Sequence, residues 1–194
     1  PAAASAWLGG AGAEANTHAV LWPYFDAVWP LLQTPGLENG VAKVPMAFDI
    51  PSGIVGAWGL PAINTAILVL SGITVTIAHH KLKERDRSKT VLWLFVTVAL
   101  GYLFVGLQAY EYVHAINDYN LTLQSGIYGS TFYMLTGFHG AHVTIGATML
   151  VIIMFRAMAG HFTPDRHFAF EGVAWYWHFV DVVWFGLFIF VYWL

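Results

Sequence analysis

Thr136-Gly137-Phe138-His139-Gly140-Ala141-His142-Val143 and Trp175-Tyr176-Trp177-His178-Phe179-Val180-Asp181-Val182-Val183-Trp184 decide how this chain is read. Each run lies inside an apolar segment long enough to cross a bilayer, which takes roughly 20 residues. Titratable groups are costly at that depth, so they must be buried in protein and hydrogen-bonded.

Composition agrees with a membrane protein. Of 194 residues, 58% are apolar and only 10% are charged, against roughly 25% charged in ordinary soluble domains. Aromatic residues make up 16%, which suits anchoring at two lipid–water interfaces. A formal charge of −3 gives no argument for a nucleic-acid partner. With no cysteine, disulfides, zinc–thiolate sites, iron–sulfur clusters and thiol nucleophiles are excluded. The chain opens at Pro1, which implies that something was processed off or that an upstream part is not included. Pro1–Asn16 lacks the basic and apolar regions of a signal peptide.

Residues 1–59 read as an external, interfacial region. Pro23, Pro30, Pro35, Pro45 and Pro51 break it up, and Trp7, Trp22, Trp29 and Trp58 suit an interface. Residues 60–194 read as an all-α polytopic bundle with spans at Leu60–His80, Val91–Val113, Gly129–Arg156 and Phe170–Leu194. Lys81, Lys83, Arg85, Arg87 and Lys89 crowd the first connection, and Arg156 and Arg166 flank the third. The 114–128 connection has neither Lys nor Arg. Positive residues mark the cytoplasmic side, so the first and third connections are inside, and the N-terminal region and C-terminus are outside.

His139 and His142 are three residues apart and share a helix face. They read either as metal or haem ligands or as a hydrogen-bonded pair between helices. The absence of a nearby carboxylate favours the second reading. His178 and Asp181 repeat the spacing, as a polar clasp or a proton relay. Glu111 is open to a structural or a functional role, and Glu171 suits the first turn of the last helix. Thr136, Gly140, Thr144 and Thr148 recur every fourth residue, a small-residue seam that predicts close approach of another helix. His79, His80, Arg156, His161 and His167 gather at the inner ends as solvated groups or as contacts for anionic lipid. Nucleotide loops, a catalytic serine triad and paired catalytic carboxylates are not visible.

Five ordered runs resemble subunit III of the cytochrome c oxidases. They are Ala78–His80, Gln108–Tyr112, Ile127–Ser130, Thr136–His142 and Phe170–Trp184. Trp7-Leu8-Gly9-Gly10, Leu21-Trp22-Pro23 and Ala27–Leu32 look like the longer external loop of bacterial members. The resemblance implies seven helices, of which this chain supplies the last four, and a V-shaped fold whose cleft holds phospholipid. It implies a non-catalytic subunit that stabilises subunit I and its proton uptake, in a complex reducing oxygen to water and pumping protons. Haem and copper then belong to subunits I and II, with no metal and no redox centre in this chain. Arg156 and His161 match basic positions near a lipid headgroup. Glu111, His139, His142, His178 and Asp181 become a buried polar network. The implied partners are subunits I and II, the first three helices of subunit III, and phospholipid. The implied location is the bacterial cytoplasmic membrane, with the mitochondrial inner membrane as the alternative. Two other readings compete: the equivalent chain of a quinol oxidase or nitric oxide reductase, and a histidine-rich membrane di-iron enzyme.

Overall fold

The computed structural model describes residues 37, 38, 41, 42, 55–123 and 125–193. The reading of residues 1–59 as an external region therefore falls largely outside the described residues. Within it, Leu37–Glu38 (β1) and Val41–Ala42 (β2) pair antiparallel, Leu37 opposite Ala42. The remaining fold is helical. The helices are α1 (Leu60–Lys83), α2 (Arg87–Tyr119), α3 (Gly126–Met158) and α4 (Phe168–Leu187), the last followed by a π-helical turn at Phe188–Trp193. Four membrane-spanning helices are thus present among the described residues.

The spans run longer than hydropathy alone predicts. α2 and α3 each have 33 residues, about 50 Å at ~1.5 Å rise per residue. That exceeds a hydrocarbon core of about 30 Å, so helix continues past the apolar stretch. The basic first connection shrinks to Glu84–Asp86, with Lys81, Lys83, Arg87 and Lys89 on the helix ends and Arg85 left in the turn.

Local chemistry explains the sharp turns. At the end of α1, Asp86 N–H bonds to Lys81 O and Arg85 N–H to Leu82 O. This is a Schellman arrangement, with Arg85 in the left-handed region at φ 63°. Asp86 then caps α2 by accepting from Lys89 N–H at 3.2 Å. Hydrogen bonds from Lys89 hold the Asp86 carboxyl below its ordinary range. The end of α3 repeats the device: His161 N–H bonds to Arg156 O and Gly160 N–H to Ala157 O. Here the left-handed residue is Gly160, at φ 78°. Arg87 Nε also donates to Ala157 O at 2.9 Å, tying the start of α2 to this turn.

The described residues form two compact units. One comprises Gly56–Val113 and Leu135–Trp193; the other contains His114–Met134. In the first, buried positions recur at steps of three and four. In α1 they are Asn64, Leu68, Ser71, Val75, Ala78 and Leu82, and in α3 they include Thr136, His139, Val143, Ala147 and Leu150. This is the seam of near-parallel helices packed side by side. The opposite faces expose large apolar side chains such as Phe95, Phe138, Trp175 and Val182, as a lipid-facing surface requires.

Trp177 of α4 lies at the centre of this unit and is fully buried. A Cβ on Gly101 of α2 would come within 2.7 Å of its ring, and one on Gly146 of α3 within 2.9 Å. Its indole N–H donates to Ser71 Oγ of α1 at 3.0 Å. One side chain thus meets all three other helices. The small-residue seam divides between two faces of α3. Thr136 is buried, but Thr144 and Thr148 face outward and fold their hydroxyls back onto Gly140 O and Thr144 O at 2.8 Å each. Four residues turn a helix about 40° past a full revolution, so a strict four-residue spacing rotates off the buried face within three steps.

The second unit is held by its turn. Asn120 is left-handed at φ 50°, a conformation Asn tolerates. Ser125 Oγ donates to Asn120 O at 3.1 Å, and Tyr133 OH to Leu121 O at 2.7 Å.

Trp177→Ala should cost about 3–5 kcal/mol of stability, read by denaturant titration of the chain in detergent. Gly101→Ala should be strongly destabilising in the native chain and close to neutral in the Trp177→Ala background. Equal penalties in the two backgrounds would remove the notch from the explanation.

Candidate functional site

The sequence marks Glu111, His139, His142, His178 and Asp181, and the structure distributes them over separate places. Glu111 is fully buried on α2. Tyr192, in the π-helical turn, donates its hydroxyl to Glu111 Oε1 at 2.7 Å. Gln108 Nε2 reaches Tyr192 OH, and Asn64 Nδ2 reaches Gln108 Oε1, each at 3.4 Å. This chain of four polar groups links α1, α2 and the last turn. Glu111 Oε2 and Asn64 Oδ1 have no hydrogen-bond partner.

His139 is buried on α3 in an aromatic cage. Its ring lies 4.9 Å from that of Trp184 and 5.9 Å from that of Phe104. Trp184 in turn donates its indole N–H to Thr65 Oγ1 at 3.0 Å. His142, three residues on, faces outward, with Nδ1 2.7 Å from Phe138 O. The two histidines are not brought together with a carboxylate, and neither belongs to a group of three metal-capable side chains among the described residues. His139 Nε2 is buried and makes no hydrogen bond.

His178 and Asp181 lie on α4 facing α1. Gly72 makes room for Asp181, whose Oδ2 lies 2.5 Å from where a Cβ would stand. Thr76 donates its hydroxyl proton to Gly72 O at 2.9 Å. That leaves His178 Nε2 as the donor in its 3.2 Å contact with Thr76 Oγ1. His178 Nδ1 stands 3.8 Å from Asp181 Oδ2, beyond hydrogen-bond range.

The basic end carries two further features. Arg156 and His161 are both exposed, and the Arg156 guanidinium lies 4.9 Å from the centre of the Phe162 ring. A nearby cavity of about 450 Å³ is lined by Arg85, Arg87, Leu82, Phe162 and Asp165 among others. His79, His167 and Glu171 converge in a second place, with the two imidazole centres 5.2 Å apart. Glu171, expected to complement a helix dipole, also turns its carboxylate to both histidines.

Sequence reasoning missed Asn64, Ser71, Tyr192 and the Thr74–Thr97 hydroxyl pair, which are 2.8 Å apart. Asn64 and Ser71 are seven residues apart on the apolar stripe of α1. Heptad spacing of small polar groups was the available signal.

The protein-family model for cytochrome c oxidase subunit III matches residues 16–194. The chain belongs to that family. It is 48% identical over 172 residues to cytochrome c oxidase subunit 3 of Drosophila melanogaster, covering 88% of this chain and 62% of the relative. Against the same subunit of Anopheles quadrimaculatus the identity is 52% over 172 residues, with the same coverage. Against that of Branchiostoma floridae it is 43% over 175 residues, covering 90% and 62%. The chain spans about three-fifths of the length of the curated relatives it matches. The resemblance read from five short runs thus extends across the four subunit III-like spans.

Tyr192→Phe should remove the hydrogen bond to the buried Glu111 Oε1 and cost about 1–3 kcal/mol. Denaturant titration in detergent checks this. A loss no larger than that of an exposed Tyr110→Phe control would show that the bond contributes nothing.

Proposed function

We propose that this chain is a non-catalytic membrane subunit of a cytochrome c oxidase. In this reading it props subunit I, sustains proton uptake there and retains phospholipid. Family membership over residues 16–194 carries the proposal. The chemistry of the interior supports it. Tyr192, Gln108 and Asn64 surround Glu111, and aromatic rings wall in His139. Polar groups arranged this way tie helices together. Haem and copper, in this reading, reside in subunits I and II, and electrons do not pass through this chain.

Subunits I and II and the first three helices of the subunit are the proposed partners. The proposed lipid site is at the basic end, where Arg156 and His161 are joined through a backbone bond at 3.0 Å. Both are exposed and positively chargeable, as an anionic headgroup requires. The Trp-rich stretch at residues 7–32 favours a bacterial cytoplasmic membrane. The named animal relatives favour the mitochondrial inner membrane instead. Fractionation of the source cells decides between them.

Removing this chain from the purified complex should leave the initial rate of oxygen reduction largely intact and make activity decay during turnover. Immediate loss of electron transfer, together with loss of metal, would overturn the proposal. Arg156→Ala should lower the anionic lipid that co-purifies and hasten that decay. Unchanged lipid content by mass spectrometry would count against the headgroup site.

A further inference from the structure

We infer that His79, His167 and Glu171 form a binding site for a divalent zinc ion at the basic end of the bundle. The three residues come from two helices and are 88 and 4 positions apart in sequence. His79 lies one turn from the end of α1, His167 is the N-cap of α4, and Glu171 is in the first turn of α4.

The distances fit a tetrahedral ion. Glu171 Oε1 is 3.5 Å from His79 Nε2 and 3.3 Å from His167 Nε2. Two ligand atoms bound at ~2.05 Å in a tetrahedron stand roughly 3.3 Å apart. One ligand atom from each residue can be chosen so that all three lie within 4.8 Å of one another, so a small rotation of one ring closes the set.

The imidazole nitrogens there also lack hydrogen bonds, although Glu171 Oε1 lies near both Nε2 atoms. His79 Nε2, His167 Nδ1 and His167 Nε2 are buried and make no hydrogen bond. Such atoms normally find a partner. Protonating both imidazoles would place two positive charges 5.2 Å apart, ring centre to ring centre, against one carboxylate. A cation held between neutral rings and Glu171 satisfies both nitrogens without that repulsion.

The donor set selects the ion. Two imidazoles and one carboxylate, with no thiolate in the chain, suit zinc and offer little to calcium or magnesium. A cavity of about 350 Å³, lined by Thr76, His79, Glu171, Ala174, Trp175 and His178, leaves room for water at the fourth position. Zinc has no redox chemistry of its own, so the site is a clip. It fastens the end of α1 to the start of α4, and with it the connection that follows Gly160.

The test uses the complex purified through this chain, stripped with a chelator and dialysed against zinc alone. Native protein should take up one more equivalent than His79→Ala, His167→Ala or Glu171→Ala, with affinity in each variant at least about tenfold weaker. His161→Ala, at the same end but outside the cluster, should match the native protein. His167→Cys guards against variants that merely misfold: it should keep the ion and add a sulfur ligand at about 2.3 Å in the zinc X-ray absorption spectrum. Equal zinc in native protein and all variants would overturn the site. So would no uptake by the native protein, or a cysteine variant whose zinc shows no sulfur.

Discussion

One indole organises the helices. Trp177 fits between Gly101 and Gly146 and bonds to Ser71, so one side chain on α4 touches α1, α2 and α3. In lipid the hydrophobic effect does not draw helices together, because acyl chains are as apolar as leucine. Close packing and interhelical hydrogen bonds must do so. Trp177 supplies both: a large flat surface against two backbones that lack side chains, and a donor whose only alternative is an unsatisfied N–H in hydrocarbon. Thr65 with Trp184, Thr74 with Thr97, and Glu111 with Tyr192 add further interhelical hydrogen bonds in the same register.

The interior polar groups obey the same rule at other levels of the bundle. Near the last turn, Asn64, Gln108, Glu111 and Tyr192 form a linear chain of hydrogen bonds. Further along and nearer the surface, half-buried His178 spans to exposed Thr76, whose hydroxyl is already committed to Gly72 O. Each group binds one helix to another, and in the proposed reading the chemistry of oxygen is left to neighbouring subunits. At the basic end the logic changes. His79 and His167 have buried nitrogens without hydrogen bonds, facing the single carboxylate of Glu171, and there, in the inferred site, an added cation completes what the side chains leave open.

Much of this was legible in the sequence because the bilayer imposes it. Low charge and four apolar segments of sufficient length placed every span, and the ordered runs from Ala78 to Trp184 pointed to the family. The helix ends were less legible, since α2 and α3 continue beyond their apolar stretches and hydropathy has no term for that. Of the four-residue repeat, Thr136 is buried while Thr144 and Thr148 face outward, because such a repeat looks regular in a sequence yet drifts around the helix. The separation of Glu111, His139 and His178 into distinct places was hidden for another reason: depth can be counted along a helix, but facing direction depends on partners. Tyr192 could not be foreseen as the partner of Glu111, because the π-helical turn that carries it breaks the helical period.

The most direct measurement is the indole ¹⁵N–¹H spectrum of the chain in lipid, with Trp177 assigned by its loss in Trp177→Phe. Its resonance should lie at a hydrogen-bonded shift and move towards the free value in Ser71→Ala, while the lipid-facing Trp175 stays put. A Trp177 signal indifferent to Ser71 would mean that the indole bonds elsewhere, and the packing described around it would be wrong.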